Sequence, residues 1–225
     1  MKTIQLHLYE FSELEEKAKA VAIKADRYIN VDYNWWDFIY DDFIRICETI
    51  GIAVNKESIT FEGFYSQGDG SAFKADIDLQ KFWPATILQA WKEYAPKLEL
   101  DLSLPEIAPR LLKLIQSGKL DCAPQIVQPT RSYYVRVDLN SDLSNRRYHY
   151  PQIENQLELL ENGLRKIAET LNRYLYKSLR SEYEYQTEDQ AVTEAIQANE
   201  YWFTADGKKA TRLDSLAFKN SLETL

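Results

Sequence analysis

The chain has 225 residues, 45% of them hydrophobic and 28% charged, with a net charge of −8 and a pI near 5.0. Such a composition belongs to an ordinary globular chain that can build its own core, and it lacks the basic balance expected of a nucleic-acid binder. No run of 18 apolar residues is present to span a membrane, the start MKTIQLHLYEF has no signal-peptide core, and two cysteines with two histidines are too few for a disulfide framework or a typical zinc site, so a reducing cytoplasm is expected.

Residues 3–9 alternate Ile4, Leu6 and Leu8 with polar neighbours, the period-2 pattern of a half-buried strand, and His7 falls on its polar side. The run SELE at 12–15 has the form of a capping box. Phe11, Leu14, Ala18, Val21, Ala25 and Tyr28 then give one apolar face to a helix ending near Asn30. Asn34 is placed to cap a second helix that Gly51 closes. Its buried face carries Trp35, Ile39, Phe43, Ile46 and Ile50, with Trp36 and Cys47 at the edge and Asp42 on the border. Asp41 is set to pair with Arg45 one turn on.

Residues 59–73 read as two strands folded back across 66–70, the most glycine-rich stretch of the chain, and 73–79 alternate as strand. A helix is predicted over 82–94, with Pro84 in its first turn, and another over 105–117, closed by Gly118. Pro124 and Pro129 mark 121–130 as a loop. Tyr133, Val135, Val137 and Leu139 form one face of a strand opposite Tyr134, Arg136 and Asp138, and 140–145 turns the chain into a return strand at 146–150.

From 152 to 182, Ile153, Leu157, Leu160, Leu164, Ile167, Leu171, Leu175 and Leu179 recur at steps of three and four. This is one long helix, spanning the sheet or supplying a dimer face, with Gly163 its weak position. A second capping box at 187–190 opens a short helix to Ala198, followed by a brief strand at 201–203 and a turn at 205–208. Hairpins mixed with runs of helices predict an α+β fold: a twisted antiparallel sheet flanked by helices, one domain over 1–225, with 183–225 readable as a C-terminal appendage.

Three groups of residues are candidates for ligand binding. In 66–70 the plain reading is a hairpin loop with positive φ at its glycines, in which Asp69 and Ser66 bond their own backbone. The functional reading is an anion-binding nest of exposed N–H groups, with Ser66, Gln67, Gly68 and Asp69 reaching a ligand; the stretch lacks the Gly-Lys-Ser/Thr ending of a phosphate loop. Trp35, Trp36, Tyr40 and Asp42 either pack helix against sheet or wall a pocket beside that hairpin. An aspartate on the buried border needs a partner, for which the loop N–H groups are candidates. Arg136 and Arg147, together with Arg131, Arg146, His149 and four tyrosines (Tyr133, Tyr134, Tyr148, Tyr150), are either surface charge or a forked phosphate clamp with stacking surfaces. Asp37, Asp41 and Asp69 offer the oxygens that Mg²⁺ takes, but they form no recognised carboxylate motif, so no metal, cofactor or catalytic residue is assigned. Cys47 reads as packing.

Four blocks together resemble a family of small phage and prophage proteins labelled as the antitoxin of a toxin–antitoxin stability system. They are FSELEEKAK (11–19), WWDFIYDDF (35–43), FEGFYSQGDGSAF (61–73) and LYKSLRSEYEYQTEDQAVTEAIQANEYWFTADGK (175–208). Residues 80–130 and those after 210 carry no part of the likeness, and the family's histidine-rich return strand is reduced here to His149 in RRYHY. The resemblance implies a phage setting in the cytoplasm of a host bacterium and action on a host defence or toxin system. It brings no catalytic residue. The expected function is non-catalytic binding, by sequestering a nucleotide-derived signalling molecule. The alternative is direct inhibition of a toxin or nuclease by the acidic surface, and the third reading is metal-dependent hydrolysis of a phosphorylated small molecule.

Overall fold

A computed structural model describes residues 7–130, 132–141 and 150–210. In chain order its elements are β1 (Tyr9–Glu10), α1 (Glu16–Ala25), α2 (Asp37–Thr49), β2 (Ile52–Val54), β3 (Thr60–Glu62), β4 (Gly70–Ala72) and β5 (Ala75–Ile77). They continue with α3 (Leu79–Ile87), α4 (Pro109–Gln116), β6 (Cys122–Val127), β7 (Arg136–Ser141), α5 (Pro151–Gln186), α6 (Asp189–Ala198) and β8 (Trp202–Phe203). The fold is α+β, and the chain forms two compact units, one from residues 1–35 and 181–225 and one from 36–180. No described helix is long and apolar enough to cross a membrane.

In the first unit β1 pairs antiparallel with β8, Tyr9 opposite Phe203. Its core is Phe11, Leu14, Ala18, Ala22, Val192, Ile196 and Phe203. The face predicted through Val21 and Tyr28 points to water instead, at 45% and 57% exposure. A 3-10 turn at Phe11–Glu13 precedes α1, so Phe11 and Leu14 are not in phase with the helix that follows. Gly207 lies against the α1 backbone, where a Cβ would meet the Ala18 carbonyl oxygen at 2.1 Å. The capping bond runs from the Glu10 N–H to Glu13 Oε2 (2.9 Å), not from Ser12 to Glu15. Likewise the Thr187 hydroxyl donates back to the Tyr183 carbonyl at 2.8 Å, ending α5 rather than opening α6. The strand predicted at 3–9 lies outside the described residues up to position 6, as does the tail after 210.

The second unit holds a four-stranded antiparallel sheet in the order β2-β5-β6-β7 and the separate hairpin β3-β4. Helix α2 starts after Trp36, later than Asn34 implied, and buries Tyr40, Phe43, Ile46 and Cys47. Its Phe43 ring meets Phe73 edge-on, 5.0 Å between centroids. Gly51 closes it at φ +73°. The expected loop at 121–130 is instead strand β6, inside the sheet. Its ladder with β5 covers Ala75↔Ile126 and Asp76↔Gln125 and stops short of Pro124, which has no N–H to give. On its other flank Pro124 stands opposite Leu139 of β7.

Helix α3 begins three residues before its predicted start because the Asp78 carboxylate accepts from the N–H groups of Gln80 (3.1 Å) and Lys81 (3.3 Å). Pro84 therefore sits inside it, and the helix ends at Ile87, before a left-handed Gln89 and a 3-10 turn at Ala90–Glu93. Helix α4 starts at Pro109, in the position where a missing N–H costs nothing. Leu157, Leu160, Leu164, Ile167, Leu171, Leu175 and Leu179 are the buried stripe of α5. The turn from 142 and the return strand expected at 146–149 lie outside the described residues.

Candidate functional site

The hairpin expected at 59–73 forms, with Thr60 opposite Ala72, Phe61 opposite Ser71 and Glu62 opposite Gly70. It is gripped by three residues of α5 spaced by four, so that they share one face. Asn172 donates to the Ser71 carbonyl (2.7 Å) and accepts the Ser71 hydroxyl at Oδ1 (2.8 Å). The Tyr176 hydroxyl reaches the Gly63 carbonyl at 3.4 Å. The Arg180 guanidinium stands 5.3 Å from the centre of the Tyr65 ring. Sequence reading missed all three, although their spacing beside the leucine stripe was there to find.

A chain of rings fills the space between α2, the hairpin and α5. Trp36 meets Phe61 edge-on at 5.5 Å, Phe61 stacks on Phe64 at 5.7 Å, and Phe64 lies 5.7 Å from Tyr176. Trp36 and the hairpin thus touch directly. Trp35 belongs to the other unit, where it is buried 5.9 Å from the Tyr183 ring.

At the tip, the N–H groups of Tyr65 and Ser66 donate to Asp69 Oδ2, at 2.7 and 2.6 Å. These are the donors that an external anion would use, and the chain's own carboxylate is bound there. Gly63 makes room for it: a Cβ at that position would sit 2.6 Å from the Asp69 carboxylate, with φ at +54°. Ser66, Gln67 and Gly68 are exposed, Gly68 has φ +100° and open space around it, and Tyr65 is 68% exposed. The loop is fixed from within and presents its outer side chains to solvent.

Asp42 has a partner, but not the loop: the Tyr94 hydroxyl donates to it, which holds that phenol's pKa above its usual value. Arg45 lies over the Tyr94 ring at 4.4 Å, so Asp41 pairs not with Arg45 but with Lys56, at 2.5 Å. Burial, and then the Asp37 carboxylate, push the Tyr40 phenol up to about 12. Burial also drives the Cys47 thiol well above its ordinary range. Arg136 turns its fork onto Asp138 two residues on, with Nε 2.8 Å from Oδ1 and Nη2 3.1 Å from Oδ2. Arg147 and His149, with Arg131, Arg146 and Tyr148, lie outside the described residues. Among the described residues no group of three His, Cys, Asp or Glu side chains converges as metal ligands would.

What the structure brings together is therefore Trp36, the 63–70 loop and the Asn172–Tyr176–Arg180 face of α5, an assembly of rings and hydrogen-bonding groups around a rigid tip. No curated protein and no solved structure matches the chain. A match does cover residues 35–189, a span that contains α2, the hairpin, the whole four-stranded sheet and α5. Over those residues the chain belongs to the family described as Domain of unknown function (DUF8835).

Proposed function

We propose that the protein is a non-catalytic binding protein acting through the tip of the β3-β4 hairpin, and that its target is a basic protein. In the phage setting implied by the sequence resemblance, that target is a toxin or nuclease of the host. The observation that carries this reading is the Asp69 carboxylate on the Tyr65 and Ser66 N–H groups. A nucleotide-derived signal would have to displace it, and would approach a chain of net charge −8 whose Arg136 fork is already on Asp138. An exposed tyrosine backed by an arginine suits protein recognition, since Tyr and Arg dominate interface hot spots. A tip already held by α5 loses little freedom on binding.

The test is co-expression with a basic nuclease toxin, followed by calorimetric titration of the purified pair. The chain is expected to relieve toxicity and to form a complex that weakens steeply with salt. Gln67→Ala should cost about tenfold or more in affinity with an unchanged melting temperature, and Tyr65→Ala should cost as much in affinity while also giving up the Arg180 contact. If the purified chain instead takes up a nucleotide, releases it intact on denaturation and loses that uptake with Gln67→Ala, sequestration replaces this reading. Release of an altered nucleotide would replace it with hydrolysis.

A further inference from the structure

A second surface of the 36–180 unit remains outside this account. A groove of about 420 Å³ opens between the end of α3, the turn Ala90–Glu93 and a strap at residues 100–107. Trp91, Leu102 and Ile107 are its buried floor, while Ile87 and the adjacent Leu88 stand out from the end of α3 at 71% and 78% exposure. Ile87 lines the groove, so its exposed side chain extends the apolar surface of the trough outward.

The strap itself is the independent observation. It has no regular structure and joins no sheet. Among the described residues, the backbone from Leu100 to Ile107 makes one hydrogen bond, from the Ser103 N–H to Asp101 Oδ1 at 3.2 Å. Yet the strap is held in place. Leu102 and Ile107 are buried, Leu104 and Pro105 lie against Gly163 of α5, and the next N–H, of Ala108, donates to Gln156 Oε1 at 2.7 Å. A fixed run of backbone with so few bonds of its own, beside an apolar trough, suits an added strand at its residues other than Pro105, because main-chain bonds supply affinity and alternate side chains enter the trough. The charge is one-sided as well: Asp101 and Glu106 line the groove and no Lys or Arg does, the nearby Lys92 being paired with Glu99 at 2.9 Å.

We propose that this groove receives an extended segment of a partner protein, apolar at alternate positions and flanked by lysine or arginine, which pairs with the backbone of the strap. Ile87 closes over its apolar side chains, and Asp101 and Glu106 meet its basic ends. The groove makes no use of the hairpin tip, so either reading can fail alone.

The test uses the full chain and a fluorescein-labelled nonapeptide, KKVTLTVRK, followed by anisotropy. Saturable binding is expected, weakening severalfold in high salt. Ile87→Asp, at an exposed position that leaves the melting temperature unchanged, should lower affinity about tenfold or more. The same peptide N-methylated at alternate amides, and so unable to pair, should not bind. Absence of saturable binding, equal binding by Ile87→Asp, or equal binding of the N-methylated peptide overturns the proposal. So does sedimentation showing that the chain self-associates and that Ile87→Asp alone makes it a monomer, since the occupant is then a second copy.

Discussion

Asp69 illustrates how one side chain decides what a loop can do. Its carboxylate satisfies two tip N–H groups, so Asp69→Ala should free them at a cost of about 1–3 kcal/mol in local opening. Faster hydrogen exchange at the Tyr65 and Ser66 amides would register that cost, and unchanged exchange would refute it. Gly63→Ala places a methyl group against the same carboxylate in a left-handed backbone. It should destabilise by about 1–3 kcal/mol in urea unfolding, more than any entropy gained in the unfolded chain. At the 204–208 turn, the Lys208 ammonium and then the Thr204 hydroxyl hold the Asp206 carboxyl down at about 2. A depressed folded pKa means that the stability this carboxylate contributes is whole above its ordinary value of 3.8, shrinks as pH falls below it, and is gone once pH passes about 2. A carboxyl NMR titration of Asp206 with its midpoint near 4 would contradict this. The tip's composition announced a loop at 66–70. Its plain reading, with Asp69 bonded to the loop's own backbone, is what forms; that the donors are the Tyr65 and Ser66 N–H groups depends on where Asp69 points once Gly63 turns left-handed.

The elements show why periodicity works best over long runs. Helix α5 was legible because its leucine repeat persists over many turns, so its buried stripe matches expectation almost residue for residue. Gly163 looked like a weak point in it, yet its missing side chain admits the strap: an added Cβ would meet Pro105 Cδ at 2.5 Å. Alanine there gains about 1 kcal/mol in helix propensity and loses about 1–3 kcal/mol to overpacking against a rigid ring. Gly163→Ala is therefore expected to lower stability in chemical denaturation, where propensity alone predicts a rise. Asn172→Ala removes the partner of Ser71, which is 1% exposed. The Ser71 carbonyl loses its side-chain donor while the hydroxyl keeps the backbone carbonyl of residue 172 at 3.1 Å, so the cost should be about 1–3 kcal/mol, again by denaturation, with the hairpin amides losing exchange protection first. Short elements fared worse. Strand β6 was hidden by Pro124, although Pro124 and Ile126 face inward while Ala123 and Gln125 face out. The face of α1 was misplaced because a 3-10 turn changed the phase in front of it.

For the whole molecule, a net charge of −8 sets the class of partner more than it sets the fold. Complexes with a basic protein should form fast at low salt and weaken as salt screens them, and stopped-flow association rates across a salt series check this. By itself the sequence determined the α+β class, the long helix, the hairpin and its turn, and the acidic net charge. Each follows from local rules: repeat period, glycine placement and summed charge act through neighbours in the chain. Only the tertiary structure decided that Asn172, Tyr176 and Arg180 grip the hairpin, that Asp42 belongs to Tyr94 and Asp41 to Lys56, and that Arg136 is spent on Asp138. It also decided that residues 100–107 run as an irregular strap beside the exposed Ile87. Most of those pairings join residues tens of positions apart, and the rest turn on which way a side chain points. Such a choice is made by packing and charge between surfaces that meet only once the chain has folded.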